Sequence, residues 1–186
     1  MGPPVSRTAI FAALAQGLEL PEILERFHLT RKELQSLFQE VSDHYRGGEE
    51  GFWSLYCDGA SRGNPGPAGA GLVLYSPQGE IKANLGQYLG QTTNNVAEYQ
   101  ALILGLEKAR QLGAKRVRIF SDSQLLVRQL TGRYQVKSPQ LLPLWRLAQK
   151  ELQNFEAHAI SHIPREANRP ADSLARGAID QKTSSR

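Results

Sequence analysis

The sequence predicts an α/β fold, a five-stranded mixed sheet flanked by helices, preceded by a small all-α N-terminal domain. Three observations predict it. Strand-like segments come first as a run of three, at 52–58, 71–76 and about 80–89, separated by short Gly/Pro-containing turns that read as a meander. Helical and strand periodicities then alternate from Asn95 to the C-terminus, the pattern of a sheet with helices on its faces. Ahead of both, residues 1–46 show helical spacing alone and run into a polar, glycine-rich stretch at 47–51 that reads as a linker.

Within residues 1–46, Phe11, Leu14 and Leu18 recur at helical spacing, and the apolar run Ala9–Ala15 reads as a core helix. Pro21 opens a second helix with Leu24 and Phe27 on its apolar stripe. Thr30-x-x-Glu33 is a capping-box pattern that opens a third, with Leu34, Leu37, Phe38 and Val41 inward. Three helices in this order are helix-turn-helix-like. DNA reading is one role for such a unit; docking or self-association is the other.

In the larger segment, expected at 52–182, Val96, Tyr99, Leu102, Ile103 and Leu106 share one face of a helix over 95–112 that Gly113 ends. A strand at 116–121, helices at 123–130 and 140–154, a strand at 156–163 and a last helix at 168–180 complete the order.

Charge separates the two parts. The chain has 186 residues, 22 Lys+Arg against 18 Asp+Glu, a net charge of +4 and a pI near 9.3. Residues 1–50 hold five basic side chains (Arg7, Arg26, Arg31, Lys32, Arg46) and eight acidic ones (Glu19, Glu22, Glu25, Glu33, Glu40, Asp43, Glu49, Glu50), a net of −3. The remaining 17 basic and 10 acidic residues leave +7 on 51–186, so a polyanion partner belongs to the later part. The acidic balance of the helical part tilts it toward docking or oligomerisation. A single cysteine, Cys57, forms no internal disulfide, and no apolar run nears the ~18 residues of a membrane span, so the expected location is cytoplasmic.

Four acidic residues of the basic part fall at predicted element ends. Asp58 closes the first strand before the glycine-rich stretch Gly59–Gly66, and Glu98 sits in the first turn of the long helix. Asp122 ends the fourth strand, and Asp172 lies near the start of the last helix. Each alone has a structural reading: Glu98 and Asp172 complementing helix N-termini, Asp122 as an N-cap, Asp58 holding a turn. Strand ends and helix starts converge on one edge of such a sheet, however, and four gathered carboxylates repel one another unless a cation compensates. Oxygen ligands without His or Cys favour Mg²⁺ or Mn²⁺, and a two-ion carboxylate site suits phosphodiester cleavage.

The segments Tyr56-Cys57-Asp58-Gly59-Ala60-Ser61-Arg62-Gly63-Asn64-Pro65-Gly66, Thr93-Asn94-Asn95-x-x-Glu98, Ser121-Asp122-Ser123-Gln124 and Asn168-x-x-Ala171-Asp172-x-Leu174-Ala175 resemble the type 1 ribonuclease H family, in its order and spacing. The resemblance implies a ribonuclease H-like sheet in which Asp58, Glu98, Asp122 and Asp172 bind two Mg²⁺, with Mn²⁺ as the alternative, to hydrolyse the RNA strand of an RNA–DNA hybrid. Reading a 2′-OH across a shallow groove calls for neutral donors and acceptors. The resemblance gives that role to Gly59, Ser61, Asn64, Asn94, Asn95, Gln124 and Asn168, with Thr93 contacting a DNA-strand phosphate. Turn-forming and capping roles for Asn64, Asn94 and Asn95 are compatible with it.

Two departures stand out. Many relatives carry a catalytic histidine on the loop before the last helix; here that loop holds Arg165, the expected substitute, while His162 belongs to the strand before it. Several relatives insert a basic helix where this chain has Thr131–Pro139, with only Arg133 and Lys137. The cluster Lys115-Arg116-x-Arg118 reads as a solvated strand start. The expected partners are an RNA–DNA hybrid, no membrane, and a protein or second copy through residues 1–46.

Overall fold

The computed structural model describes Ile10, Ala13, residues 17–36 and residues 51–184. The chain forms two compact units, Met1–Glu50 and Gly51–Arg186. No described helix is long and apolar enough to cross a membrane.

In the first unit, helix α1 (Leu20–Arg26) carries Pro21 in its first turn, where a missing N–H leaves no intrahelical bond unmade. Glu22 Oε2 accepts from the Glu19 N–H at 2.9 Å, a cap the sequence reading passed over. Residues 31–36 are helical, and their start is the predicted box: Thr30 N–H donates to Glu33 Oε2 at 2.8 Å, and Glu33 N–H to Thr30 Oγ1 at 3.2 Å. Ile10, Ala13, Ile23 and Leu34 form the core of this unit, with Leu18, Leu24, Phe27 and Leu29 against it. Phe11, Leu14, Leu37, Phe38 and Val41 lie outside the described residues.

The second unit is built on a five-stranded sheet in the order β3-β2-β1-β4-β5. Strands β1 (Phe52–Ser61), β2 (Gly66–Tyr75) and β3 (Ile81–Thr92) form the antiparallel meander. Strands β4 (Arg116–Ser121) and β5 (Ala157–His162) extend it in parallel. Helix α2 (Asn94–Gln111) packs across β1 and β2, burying Leu102 and Leu106 with Leu55 and Ile119 of the strands. Helices α3 (Gln124–Leu130) and α4 (Leu141–Leu152) follow β4, and α5 (Arg169–Ser184) lies over β1, β2 and β3. The segment 131–139 contains no helix.

The structure corrects the glycine-rich stretch after Asp58. Read as a turn from Gly59 to Gly66, it is strand as far as Ser61, and β2 starts at Gly66 rather than Gly71. The reason is helix contact. A Cβ on Gly59 would stand 2.1 Å from the Glu98 backbone nitrogen, and one on Gly71 would stand 2.1 Å from the Ala171 carbonyl oxygen. The glycines are therefore where α2 and α5 rest directly on the sheet, one helix on each face. Asp58 accordingly lies inside β1, paired in register with Gly71, and holds no turn.

Candidate active site

The alternation of β1 puts Asp58 on the face opposite Gly59, the face covered by α5, because successive side chains point to opposite sides. Its carboxylate is buried, and Oδ1 accepts from the Gly59 N–H at 2.9 Å. Asp122 follows the last residue of β4, the strand beside β1. It is not the N-cap of α3; Ser123 is, its Oγ accepting from Leu126 N–H at 3.2 Å. Nor is Glu98 in the first turn of its helix. Thr93 caps α2, so Glu98 stands in the second turn, deep enough for its backbone to lie on Gly59. Only Asp172 sits in a first turn, that of α5.

These four carboxylates line one cleft of about 400 Å³, together with Gly59, Ser61, Asn94 and Arg165. Each is held. Glu98 Oε2 accepts from Ser123 Oγ at 2.6 Å and Oε1 from Asn94 Nδ2 at 2.9 Å. Asp122 Oδ1 accepts from Asn168 Nδ2 at 2.7 Å. Asp172 Oδ1 accepts from Arg176 Nε at 3.0 Å and Arg165 at 3.2 Å.

The electrostatics follow from burial and crowding. Burial, then the charges of Asp122, Asp172 and Glu98, push Asp58 up to about 8 against the pull of the Gly59 N–H. Burial raises Glu98 to about 6, with the Asp122 charge adding and the Ser123 and Asn94 hydrogen bonds opposing. Burial also acts upward on Asp172, but the hydrogen bonds and charges of Arg176 and Arg165 outweigh it and hold its carboxyl below the ordinary range. The centre of the cleft is thus short of positive charge while its rim supplies two guanidinium groups. An all-carboxylate oxygen set with this deficit fits a hard divalent cation. As the side chains stand, with Asp172 drawn to its arginines, no three of the described acidic, histidine or cysteine groups are gathered tightly enough to hold one ion.

The expected substrate set divides. Gly59, Ser61 and Asn94 line the cleft. Asn64 stands beside them, its Oδ1 accepting from the Asn94 N–H at 3.2 Å. Thr93, Asn95 and Gln124 do not line it; they stand at the helix starts, Thr93 Oγ1 accepting from Val96 N–H at 3.4 Å. Asn168 is a correction. It is wholly buried, and its amide is spent on Asp122 and on the Cys57 carbonyl, so it orients a carboxylate rather than meeting a substrate. Arg165 lies on a short 3₁₀ turn, Arg165–Asn168, where the sequence reads as a plain loop, and faces the cleft. His162 ends β5 and does not line it.

Three contributors escaped sequence reasoning. Arg176 has a readable signal, its i+4 spacing from Asp172 on one helix face. Ser123 clasping Glu98, and Arg62 of the β1 terminus paired with Asp180 of α5, join residues far apart in the chain and leave no local trace.

A model of the reverse transcriptase-like family matches residues 56–178. A ribonuclease HI of Halobacterium salinarum is 46% identical over 125 residues, 67% of this chain and 63% of the relative. The chain belongs to the ribonuclease H family. Among solved structures, the RNase H1 of Halobacterium salinarum superposes on this ribonuclease H domain with a TM-score of 0.68 at 45% identity, over 70% of this chain and 98% of that one. LC11-RNase H1, solved in complex with RNA/DNA hybrid, gives a TM-score of 0.67 at 40% identity, over 70% and 99%. The bifunctional protein Rv2228c of Mycobacterium tuberculosis is 44% identical over 127 residues, 68% of this chain and 35% of that protein. The chain thus spans less than two thirds of the length of these curated relatives.

Proposed function

We propose that this protein is an endoribonuclease that hydrolyses the RNA strand of RNA–DNA hybrids. The observation that carries the reading is the convergence of Asp58, Glu98, Asp122 and Asp172, from two strands and two helices, on one cleft whose buried members are charge-deficient. Family membership implies dependence on a divalent metal; the four carboxylates are proposed as ligands for two Mg²⁺, with Mn²⁺ as the alternative. When bound, such ions supply Lewis-acid activation of the attacking water and neutralise charge on the leaving oxygen.

The chain's own residues prepare that site. Asn94 and Ser123 hold both oxygens of Glu98, and the Gly59 N–H and Asn168 hold Asp58 and Asp122, so these three carboxylates are restrained before substrate arrives. Arg165, already on the cleft wall, is proposed to bring its cation to the scissile phosphate in place of the family's histidine. Gly59, Ser61, Asn64, Asn94, Asn95 and Gln124 are proposed to read the minor groove, and Thr93 a DNA-strand phosphate. The LC11-RNase H1 complex with RNA/DNA hybrid supports this choice of substrate. Residues 1–46 are proposed as a docking or self-association unit, and a cytoplasmic location is proposed from the single reduced cysteine.

The deciding assay compares a labelled RNA–DNA hybrid with matched duplex RNA and duplex DNA in Mg²⁺, for the wild type and Asp58→Asn. Cleavage of the RNA strand of the hybrid alone, abolished by the substitution, is expected. Activity that survives Asp58→Asn, or equal cutting of duplex DNA, overturns the proposal.

A further inference from the structure

Along β1, the face that carries Asp58 also carries Tyr56, Ser54 and Phe52, by strand alternation. The parallel register places Phe120 beside Tyr56, Arg118 beside Ser54 and Arg116 beside Phe52 on the same face. The rings are in contact: Tyr56 stacks on Phe120 with centroids 4.8 Å apart and meets Tyr75 edge-on at 5.7 Å. The guanidinium carbons of Arg116 and Arg118 lie 4.6 and 4.9 Å from the Phe52 ring centroid. Arg116 is exposed and the other members are half-buried. Helix α5 spans β1 to β3, and beyond it β5 adds small residues to this face, with Ala159 and Ser161 exposed.

We infer that this aromatic and arginine stripe is a binding platform for single-stranded nucleic acid, leading away from the cleft. Aromatic faces bind any unpaired base by stacking, and arginines add phosphate contacts and cation–π attraction. A duplex hides its base faces within its own stack, so rings on the sheet surface suit an unpaired strand. From Phe52 to Asp58 the stripe runs about 20 Å at ~3.3 Å per residue, ending beside the carboxylates. A strand with one end in the cleft therefore has a path along it. The cluster at Arg116 and Arg118, which reads from sequence as a solvated strand start, is instead drawn over an aromatic ring. The use of the platform, holding an unpaired flank of substrate or product, rests on the proposed hybrid cleavage; binding itself is measurable without any cleavage.

The test uses the full chain without divalent cations and a fluorescein-labelled oligothymidylate of about twelve nucleotides, within the usual single-strand site sizes. The wild type is expected to bind it. Arg116→Gln with Arg118→Gln is expected to weaken binding about tenfold and to flatten the log–log salt slope by about 1.4, two phosphate contacts on a single strand. The kcat on a short blunt hybrid in Mg²⁺ is expected to stay unchanged. Photocrosslinking of the wild type with a 4-thiothymidine oligonucleotide is expected to label the peptides around 52–56 and 116–120, a readout independent of how any variant folds. No single-strand binding by the wild type, an unchanged affinity and slope in the double variant, or crosslinks confined to other surfaces would each overturn the inference. So would a parallel loss of blunt-hybrid cleavage, which assigns the arginines to the hybrid site. Self-association that the double variant abolishes, with no oligonucleotide bound, gives the face to a second copy and overturns it as well.

Discussion

Asn168 donates from Nδ2 to Asp122 Oδ1 at 2.7 Å, and it does so from complete burial. The same nitrogen reaches the Cys57 carbonyl at 3.1 Å, the residue before Asp58, so one amide aligns the neighbourhoods of two carboxylates. Its Oδ1 has no hydrogen-bond partner among the described residues, which leaves the nitrogen as the working atom. Asn168→Ala is expected to lower kcat on hybrid about 10–100-fold, as loss of a ligand-orienting partner does. It is also expected to destabilise the fold by ~1–3 kcal/mol through the unpaired Cys57 carbonyl. KM for hybrid should stay within about threefold, because a buried residue meets no substrate. A raised KM with normal kcat would return Asn168 to the substrate surface.

Asp58 makes the metal-free protein pH-sensitive. Its folded pKa, about 8, lies above its ordinary value, so the folded state binds more protons than the unfolded one in that interval. The stability this provides is present in full at low pH and is lost as pH rises toward about 8; Glu98, raised to about 6, has the same sign. Asp58→Asn, neutral at every pH, is expected to melt higher than the wild type at pH 8 without divalent cations. The gain should be on the order of 1–2 kcal/mol, or ~3–8 °C. Saturating Mg²⁺ should close the gap by stabilising only the wild type. Melting curves at pH 5.5 and 8, with and without Mg²⁺, check it; a wild type that melts higher at pH 8 in chelator contradicts it.

The two arginines on Asp172 give the opposite sign. Its carboxyl is held below the ordinary range, so its stabilising contribution is present above about pH 4 and lost as pH falls toward the folded value. Arg176→Ala removes one of these partners, and its acid unfolding midpoint is expected to rise relative to the wild type. At neutral pH, where the pair contributes in full, the loss of stability should stay below about 1 kcal/mol, since the pair is partly exposed.

Arg165 and His162 separate by position. Arg165→Ala is expected to reduce kcat about 10–100-fold as a cation is lost from the phosphate, and His162→Ala to leave it within about twofold. Loss of activity in the histidine variant alone would reverse the assignment.

Gly71→Ala tests how α5 is seated. The added Cβ would meet the Ala171 carbonyl oxygen at 2.1 Å, a contact only helix displacement relieves. A loss of about 1–3 kcal/mol is expected, and with it reduced activity, since Ala171 precedes Asp172. Denaturant melts of the purified variant measure the first and hybrid cleavage the second.

Much of this protein is legible in its sequence because the signals are local. Leu102 and Leu106 mark the buried face of α2 by spacing alone, and Thr30 with Glu33 marks a helix start by a reciprocal cap three residues long. The four carboxylates are legible as a set through the short motifs that carry them. What the sequence left open are contacts between distant segments. Gly59 looks like a turn residue and Gly71 like a plain strand start until helices from 94 and 169 onward descend on them, because nothing within β1 or β2 records what crosses above. Asn168 looks like a substrate ligand until its burial beneath Asp122 is known. The positions of Arg116 and Arg118 over Phe52 exist only because parallel pairing sets β4 beside β1 across more than fifty intervening residues. By itself, then, the sequence determined the elements, the acidic set and the charge division between the two parts. The tertiary structure alone decided which carboxylates are buried, which side chains hold them and which face is left aromatic and basic, because burial and through-space electrostatics arise only when separate elements pack together.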